Sequence, residues 1–246
     1  VRIVVIGGTG VIGAKVVTRL RAEGHGAVAA SPGTGVDSIT GAGLDDALTG
    51  ADAVVDVTNS PAWGDEEARR FFTTSTRNLL DAARRAGVRH HVALTIVGAE
   101  RLPGSGYLRA KVAQEELIKE GGVPYTIVRA TQFFEFIAGI AQSSTVGTEV
   151  RIPPARFQPV AADDVAAVLV EVATGPATNQ TVQVAGPEVF GFPEIVAREL
   201  GDDPRTVVAD PDAGYFGAEL PDDGLIPVPG TARLGATDYA TWAAKR

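Results

Sequence analysis

Three glycines near the N-terminus, Gly7, Gly10 and Gly13, have the type and spacing to bring a peptide backbone against a pyrophosphate. Such a group needs backbone N–H donors, the positive end of a helix dipole and no side chain in the way. The run Gly7-Gly8-Thr9-Gly10-Val11-Ile12-Gly13 meets those needs if it joins a strand to a helix, and Thr9, Val11 and Ile12 then share the turn. Tyr107 and Lys111 are the second chemical feature, four residues apart and therefore on one face of a helix. A phenol ordinarily titrates near pH 10, and a neighbouring ammonium group favours its phenolate, bringing it within reach of acid–base work near neutrality. Phe133, Phe134 and Phe136 form an aromatic cluster that suits a planar apolar molecule, or equally a hydrophobic core. Trp63 and Tyr215-Phe216 are further aromatic candidates.

The elements around these residues can be read from periodicity. Val1 to Ile6 is a short β-branched run, as expected of a strand buried on both faces, and it ends at the glycines. From Ala14 to Glu23, Val16 and Leu20 recur at helical spacing until Gly24 closes the segment. Further strands are expected at Ala27 to Ala30, around Val36 to Thr40, and at Ala53 to Val57, with a short helix at Asp45 to Leu48 and no second crossover helix. A long amphipathic helix at Asp65 to Ala86 precedes a strand at Val92 to Val97, a helix at Tyr107 to Glu120 and a strand at Tyr125 to Arg129. This alternation predicts a parallel sheet covered by helices on both faces, a Rossmann-type doubly wound α/β fold.

Past Arg129 the pattern loosens. The sequence supports a helix at Phe133 to Ile140, a short strand at Thr148 to Ile152, and a helix at Asp163 to Ala173 that Asp163 is placed to cap. A strand at Val182 to Ala185 and a helix at Pro193 to Leu200 follow, and then Asp210 to Gly235, rich in proline, glycine and aspartate. With 246 residues and no linker, the expectation is a single domain, residues from about 130 onward contributing a smaller C-terminal substrate lobe.

Composition removes other classes. There are no cysteines, which excludes disulfides, thiolate metal sites and cysteine nucleophiles. Of three histidines, the adjacent His90 and His91 begin a strand and point to opposite faces, so no metal site is expected. A formal net charge of -8 without a compensating basic run argues against nucleic-acid binding. No apolar run approaches the roughly 18 residues of a membrane span, and the N-terminus enters a strand directly, so the expected setting is cytoplasmic, with no membrane partner. Nothing in the sequence specifies an oligomeric state.

The spacing G-x-x-G-x-x-G in GGTGVIG resembles the short-chain dehydrogenase/reductase superfamily. Together with the strand ending VVDVTNS, the tract Gly106 to Lys111, VPYTIVRATQFFEF and FQPVAADDVA, it looks like the NmrA-like atypical subgroup, the resemblance running from residue 1 to about Gly186. It implies an NAD(P) cofactor, with Lys111 on the nicotinamide ribose and Tyr107 exchanging a proton with the substrate oxygen while hydride moves at carbon. Thr95 falls about where the superfamily places a substrate-polarising serine, and Val57, Thr58 and Asn59 would line the nicotinamide half. NADP(H) is favoured over NAD(H), because Ala29-Ala30-Ser31-Pro32 carries no acid to repel a 2′-phosphate and offers Ser31, with Thr34 nearby, as a donor. The implied activity is NAD(P)H-dependent reduction of a carbonyl, quinone or similar conjugated small molecule. The subgroup also contains catalytically silent sensors that act through a protein partner, and the scaffold also accommodates isomerisation or elimination with bound cofactor.

Overall fold

The computed structural model describes residues 1–245. The N-terminal apolar run is β1 (Arg2–Ile6), and the helix behind the glycines is α1 (Val11–Ala22), which buries Ile12, Val16, Val17 and Leu20 on one face. β2 (Gly26–Ala30), α2 (Leu44–Leu48), β3 (Ala53–Asp56), α3 (Asp65–Ala86), β4 (His90–Ile96), α4 (Gly106–Glu120) and β5 (Tyr125–Ala130) follow in the expected alternation. The looser half comprises α5 (Ile137–Ser143), β6 (Thr145–Val146), β7 (Glu149–Ile152), β8 (Arg156–Phe157), α6 (Ala162–Thr174), β9 (Gln180–Ala185), β10 (Phe190–Gly191), α7 (Phe192–Leu200), β11 (Thr206–Ala209), β12 (Ala232–Leu234) and α8 (Tyr239–Ala243).

Seven strands form one parallel sheet in the order β12-β9-β5-β4-β3-β1-β2. Successive residues of β1 point to opposite faces: Ile3 and Val5 pack with Val16, Leu20, Val165 and Leu169 of α1 and α6, while Val4 and Ile6 pack with Leu44, Leu48 and Leu79 of α2 and α3. The chain runs outward from β1 to β2 on one side and resumes with β3 on the other. This reversal opens a crevice at the carboxyl ends of β1 and β3, where open α/β sheets bind ligands. A separate three-stranded sheet, β11-β7-β6, lies in the C-terminal half, with an aromatic core that includes Phe134, Phe157, Phe192 and Trp242.

Several expectations are corrected. No strand forms at Val36 to Thr40. The Asp37 carboxylate instead accepts the N–H groups of Ile39 (2.7 Å) and Thr40 (3.3 Å), and the Asn78 amide of α3 donates to the carbonyls of Ser38 and Ile39, so those backbone groups are spent on a turn. Asp163 does not cap α6, which Ala161 precedes. The Glu135 carboxylate accepts the first N–H, from Ala162 at 3.2 Å, while Asp163 pairs with Lys15 and Asp164 accepts from Thr237. The proline- and glycine-rich tail returns to the sheet, Ala232–Leu234 pairing with β9 as an edge strand too short for periodicity to reveal.

Candidate active site

The glycine turn lies where the crevice needs it. A Cβ on Gly13 would stand 2.1 Å from the Gly7 carbonyl oxygen, so the fold itself forbids a side chain there. A Cβ on Gly10 would meet only that same oxygen, at 3.3 Å, and Gly10 lines the cleft. Its missing side chain therefore leaves room for a ligand, and within the protein it relieves only that one close contact, far milder than the clash at Gly13. Gly10 precedes α1, which has neither a side-chain cap nor an acid in its first turn, so the helix's leading N–H donors and positive pole meet no internal competitor. This cradle fits a dinucleotide pyrophosphate.

The cleft has a volume of about 680 Å³. Gly7, Thr9, Gly10, Val11, Ile12, Gly13 and Ser31 line one end, with Asp37, Ser38 and Ile39 beside them, brought there by the turn that replaces the expected strand. Val57, Thr58 and Asn59 line the middle with Tyr107, Lys111 and Thr95. Trp63, Phe71, Phe133, Phe136, Tyr215 and Phe216 form the aromatic end. Phe134 is not among the lining residues: it is fully buried, stacked on Trp242 at 5.2 Å, because α8 closes over it.

Four polar residues on one stripe of α4, Tyr107, Lys111, Gln114 and Glu115, organise the middle of the cleft. The Lys111 ammonium donates to Gln114 Oε1 (2.9 Å) and to the Leu94 carbonyl (3.3 Å) and lies 4.1 Å from the centre of the Phe72 ring. Gln114 in turn donates to Asp56 (3.2 Å), whose other oxygen accepts from the backbone N–H and hydroxyl of Thr58. Burial pushes Lys111 down to about 8, against the pull of Asp56 and Glu115. Lys111 is thus positioned through a chain that ends on the loop after β3.

Tyr107 is buried at the same place, its hydroxyl donating to Asn59 Oδ1 at 2.7 Å. Burial lifts this phenol above its ordinary value, opposed by the Asn59 hydrogen bond. The expected lowering by Lys111 is not present in this arrangement, because the ammonium is engaged by Gln114 and Leu94 and not by the phenol. Thr95 also differs from expectation. Its hydroxyl donates to Glu115 (2.7 Å), which Arg129 grips through two bonds of 2.8 and 2.7 Å, so its proton is committed within the protein. For Glu115, burial favours the neutral acid, but the bonds and charge of Arg129, the Thr95 hydrogen bond and the Lys119 charge together outweigh it and hold the pKa below the ordinary value.

Aromatic rings roof the phenol. Phe216 stacks on Tyr107 at 4.9 Å and on Trp63 at 5.2 Å. Phe216 sits in a left-handed backbone conformation (φ 48°) in a tight hairpin closed by reciprocal Tyr215–Ala218 hydrogen bonds. Two successive positive φ values, at Phe216 and Gly217, define this turn, and a bulky residue is costly there. The ring is held over the cleft at that cost. Gln114 and Glu115, which the sequence reading did not single out, follow Tyr107 and Lys111 at helical spacing, and that spacing was the signal that could have found them. Thr131, Gln132 and Asp37, which also line the cleft, carried no sequence signal because irregular segments place them.

A family model described as NAD(P)H-binding matches residues 36–176, more than half of the chain. The chain belongs to the NAD(P)H-binding family. It is 33% identical over 215 residues to a (4-alkanoyl-5-oxo-2,5-dihydrofuran-3-yl)methyl phosphate reductase of Streptomyces griseus, covering 80% of this chain and 70% of the relative. It is 26% identical over 217 residues to the photosystem II assembly factor Ycf39 of Synechocystis, covering 79% of this chain and 65% of that protein. The fold is shared with an NADPH-dependent quinone oxidoreductase from Escherichia coli, with a TM-score of 0.68 and 16% identity across 99% of this chain and 98% of the other. This NAD(P)H-binding chain has, among its described residues, no helix long and apolar enough to cross a membrane.

Proposed function

We propose that this protein reduces a planar, conjugated small molecule, a carbonyl or quinone-type acceptor, at the expense of NAD(P)H. The observation that carries the reading is that Tyr107 and Lys111 line the same cleft as the uncapped glycine turn, with an aromatic surface beyond them. Bound NAD(P)H supplies the hydride. The N–H groups at the start of α1 bind the pyrophosphate, and Lys111, fixed by Gln114, binds the nicotinamide ribose. Tyr107, kept protonated by burial, is the proton donor to the substrate oxygen, breaking its bond to Asn59 to do so. Thr95 shapes the site through Glu115 instead of donating to the acceptor. Residues from about 130 onward supply most of the substrate end, with Phe133 and Phe136 as walls, and Trp63, from the segment before α3, adds another.

For the cofactor we infer a small preference for NADP(H) over NAD(H). Ser31 lines the adenosine end as a hydroxyl donor for a 2′-phosphate, and the Asp37 carboxylate beside it is already engaged by the N–H groups of Ile39 and Thr40; its charge, with no lysine or arginine there among the described residues, keeps the preference small. Affinities for NADPH and NADH measured side by side test this, and tighter NADH binding refutes it.

A second reading, a cofactor-binding sensor that works through a protein partner, is favoured by the Tyr107–Asn59 bond, which ties up the proton, and by the likeness to an assembly factor. Turnover decides between them. NADPH oxidation is followed against a panel of quinones, enones and aldehydes, alongside direct titration of NADPH binding. Oxidation coupled to loss of an acceptor supports the reductase; tight NADPH binding with no acceptor consumed overturns it.

A further inference from the structure

The segment that leaves β5 holds two buried polar side chains whose hydrogen-bonding capacity the protein does not fill. Thr131 is 1% exposed and Gln132 8% exposed, and both line the cleft. The Thr131 hydroxyl makes no hydrogen bond within the protein, and neither amide atom of Gln132 makes one of good geometry, the Tyr215 phenol being the polar group that its side chain faces. Their backbone cannot turn to release them. Thr131 N–H donates to the Val184 carbonyl (2.9 Å), the Gln132 carbonyl accepts from Val160 N–H (2.8 Å), and Phe134 N–H returns to the Val160 carbonyl (3.1 Å). A buried amide without well-made hydrogen bonds is costly, and such groups in a native fold call for an explanation. Tyr215, from the hairpin that roofs the site, stands beside Gln132, and its phenol shares the cleft with Tyr107.

The charge around this corner is equally specific. Among the described residues that line the cleft, Lys111 is the one cation, and Gln114 and Leu94 hold it in the middle of the cleft; the one acid, Asp37, belongs to the opposite end. The substrate end, from Trp63 and Phe71 to Phe133, Phe136, Tyr215 and Phe216, is apolar and aromatic apart from neutral polar groups. An anion there would surrender its hydration for no counter-charge.

We propose that Gln132, with Thr131 and Tyr215 beside it, is a specificity-determining residue that binds a second oxygen of an uncharged, planar two-oxygen acceptor, and that the same site rejects anionic acceptors. The inference rests on the reductase reading for the oxygen that reacts near Tyr107. Gln132 adds selection at the acceptor's other oxygen, to which its amide N–H groups donate.

The test is equilibrium binding to the NADP⁺-loaded protein, which needs no turnover. Calorimetry compares 1,4-naphthoquinone, 1-naphthaldehyde with its single carbonyl, and the anionic 1-naphthyl phosphate. The wild type is expected to bind the quinone about tenfold more tightly than the aldehyde, the size of one neutral hydrogen bond, and the phosphate more weakly than either. Gln132→Leu is expected to remove the quinone's advantage, leave NADP⁺ affinity unchanged and raise the thermal midpoint of the unliganded protein, since it deletes the poorly partnered amide. Tyr215→Phe, which preserves the ring, supplies a second variant, with a smaller loss confined to the quinone. Equal quinone affinity in wild type and Gln132→Leu, or phosphate binding as tight as quinone binding, overturns the proposal. Selective quinone binding without NADPH oxidation leaves this corner standing and removes the reductase reading instead, so the two failures are distinct.

Discussion

Replacing Tyr107 with phenylalanine removes one oxygen from the centre of the cleft, and the structure separates what that oxygen does for stability from what it does for chemistry. The ring stays packed against Phe72, Trp63 and Phe216, with centroids 5.8, 5.2 and 4.9 Å away, so no cavity opens. The lost hydrogen bond to Asn59 Oδ1 is neutral, and that oxygen keeps the Ser60 N–H at 3.0 Å, so no buried acceptor is orphaned. The expected destabilisation is therefore about 1 kcal/mol, the net worth of one such bond. Loss of a general acid is larger, about 10²- to 10⁴-fold in rate, or roughly 3 to 5 kcal/mol of barrier. The measurement is single-turnover NADPH oxidation under saturating acceptor, with NADPH affinity and urea unfolding recorded on the same preparation. A fall in rate with cofactor affinity unchanged and a small loss of stability is the expected pattern. Wild-type rate in Tyr107→Phe on a confirmed acceptor refutes the assignment and makes Tyr107 a packing residue.

The glycine turn predicts a contrast. Gly10→Ala should fold normally yet weaken NADPH binding, whereas Gly13→Ala, whose methyl group would stand 2.1 Å from the Gly7 oxygen, should fail to accumulate as folded protein; comparable behaviour of the two in circular dichroism and titration would contradict the geometry. Lys111, lowered by burial from 10.5 to about 8, predicts a pH dependence in the unliganded protein. Between those values the unfolded chain holds a proton that the folded one has released, so this group makes stability rise with pH, a gain that Lys111→Met should lack in urea titrations at about pH 8 and 10. Glu115→Ala leaves the largely buried Arg129 with the exposed Glu100 as its remaining ion-pair partner and should cost about 3 kcal/mol in urea unfolding, with an unchanged midpoint as the contrary result.

What the sequence determined by itself is whatever local periodicity encodes. The parallel sheet follows from apolar β-branched runs alternating with 3.6-residue stripes, and the bounds of α3 fall where Gly87, in a left-handed conformation, makes continuation unfavourable. The glycine turn and the Tyr107–Lys111 pair were legible for the same reason, each being a short spacing on one element. Tertiary structure alone decided the roles that depend on contacts between distant segments. Phe133 and Phe136 line the cleft while Phe134 is buried between them, because a C-terminal helix about a hundred residues later lays Trp242 on its ring. Thr95 gives its proton to Glu115 because β4 packs against α4, and Lys111 reaches Gln114 and Asp56 instead of the phenol. Gln132 faces the cleft and the Tyr215 phenol because Val160 and Val184, from two other segments, pin the backbone around it. Periodicity records which face of an element is buried; what covers that face, and which hydrogen bonds its polar atoms find there, is settled only when the chain closes on itself.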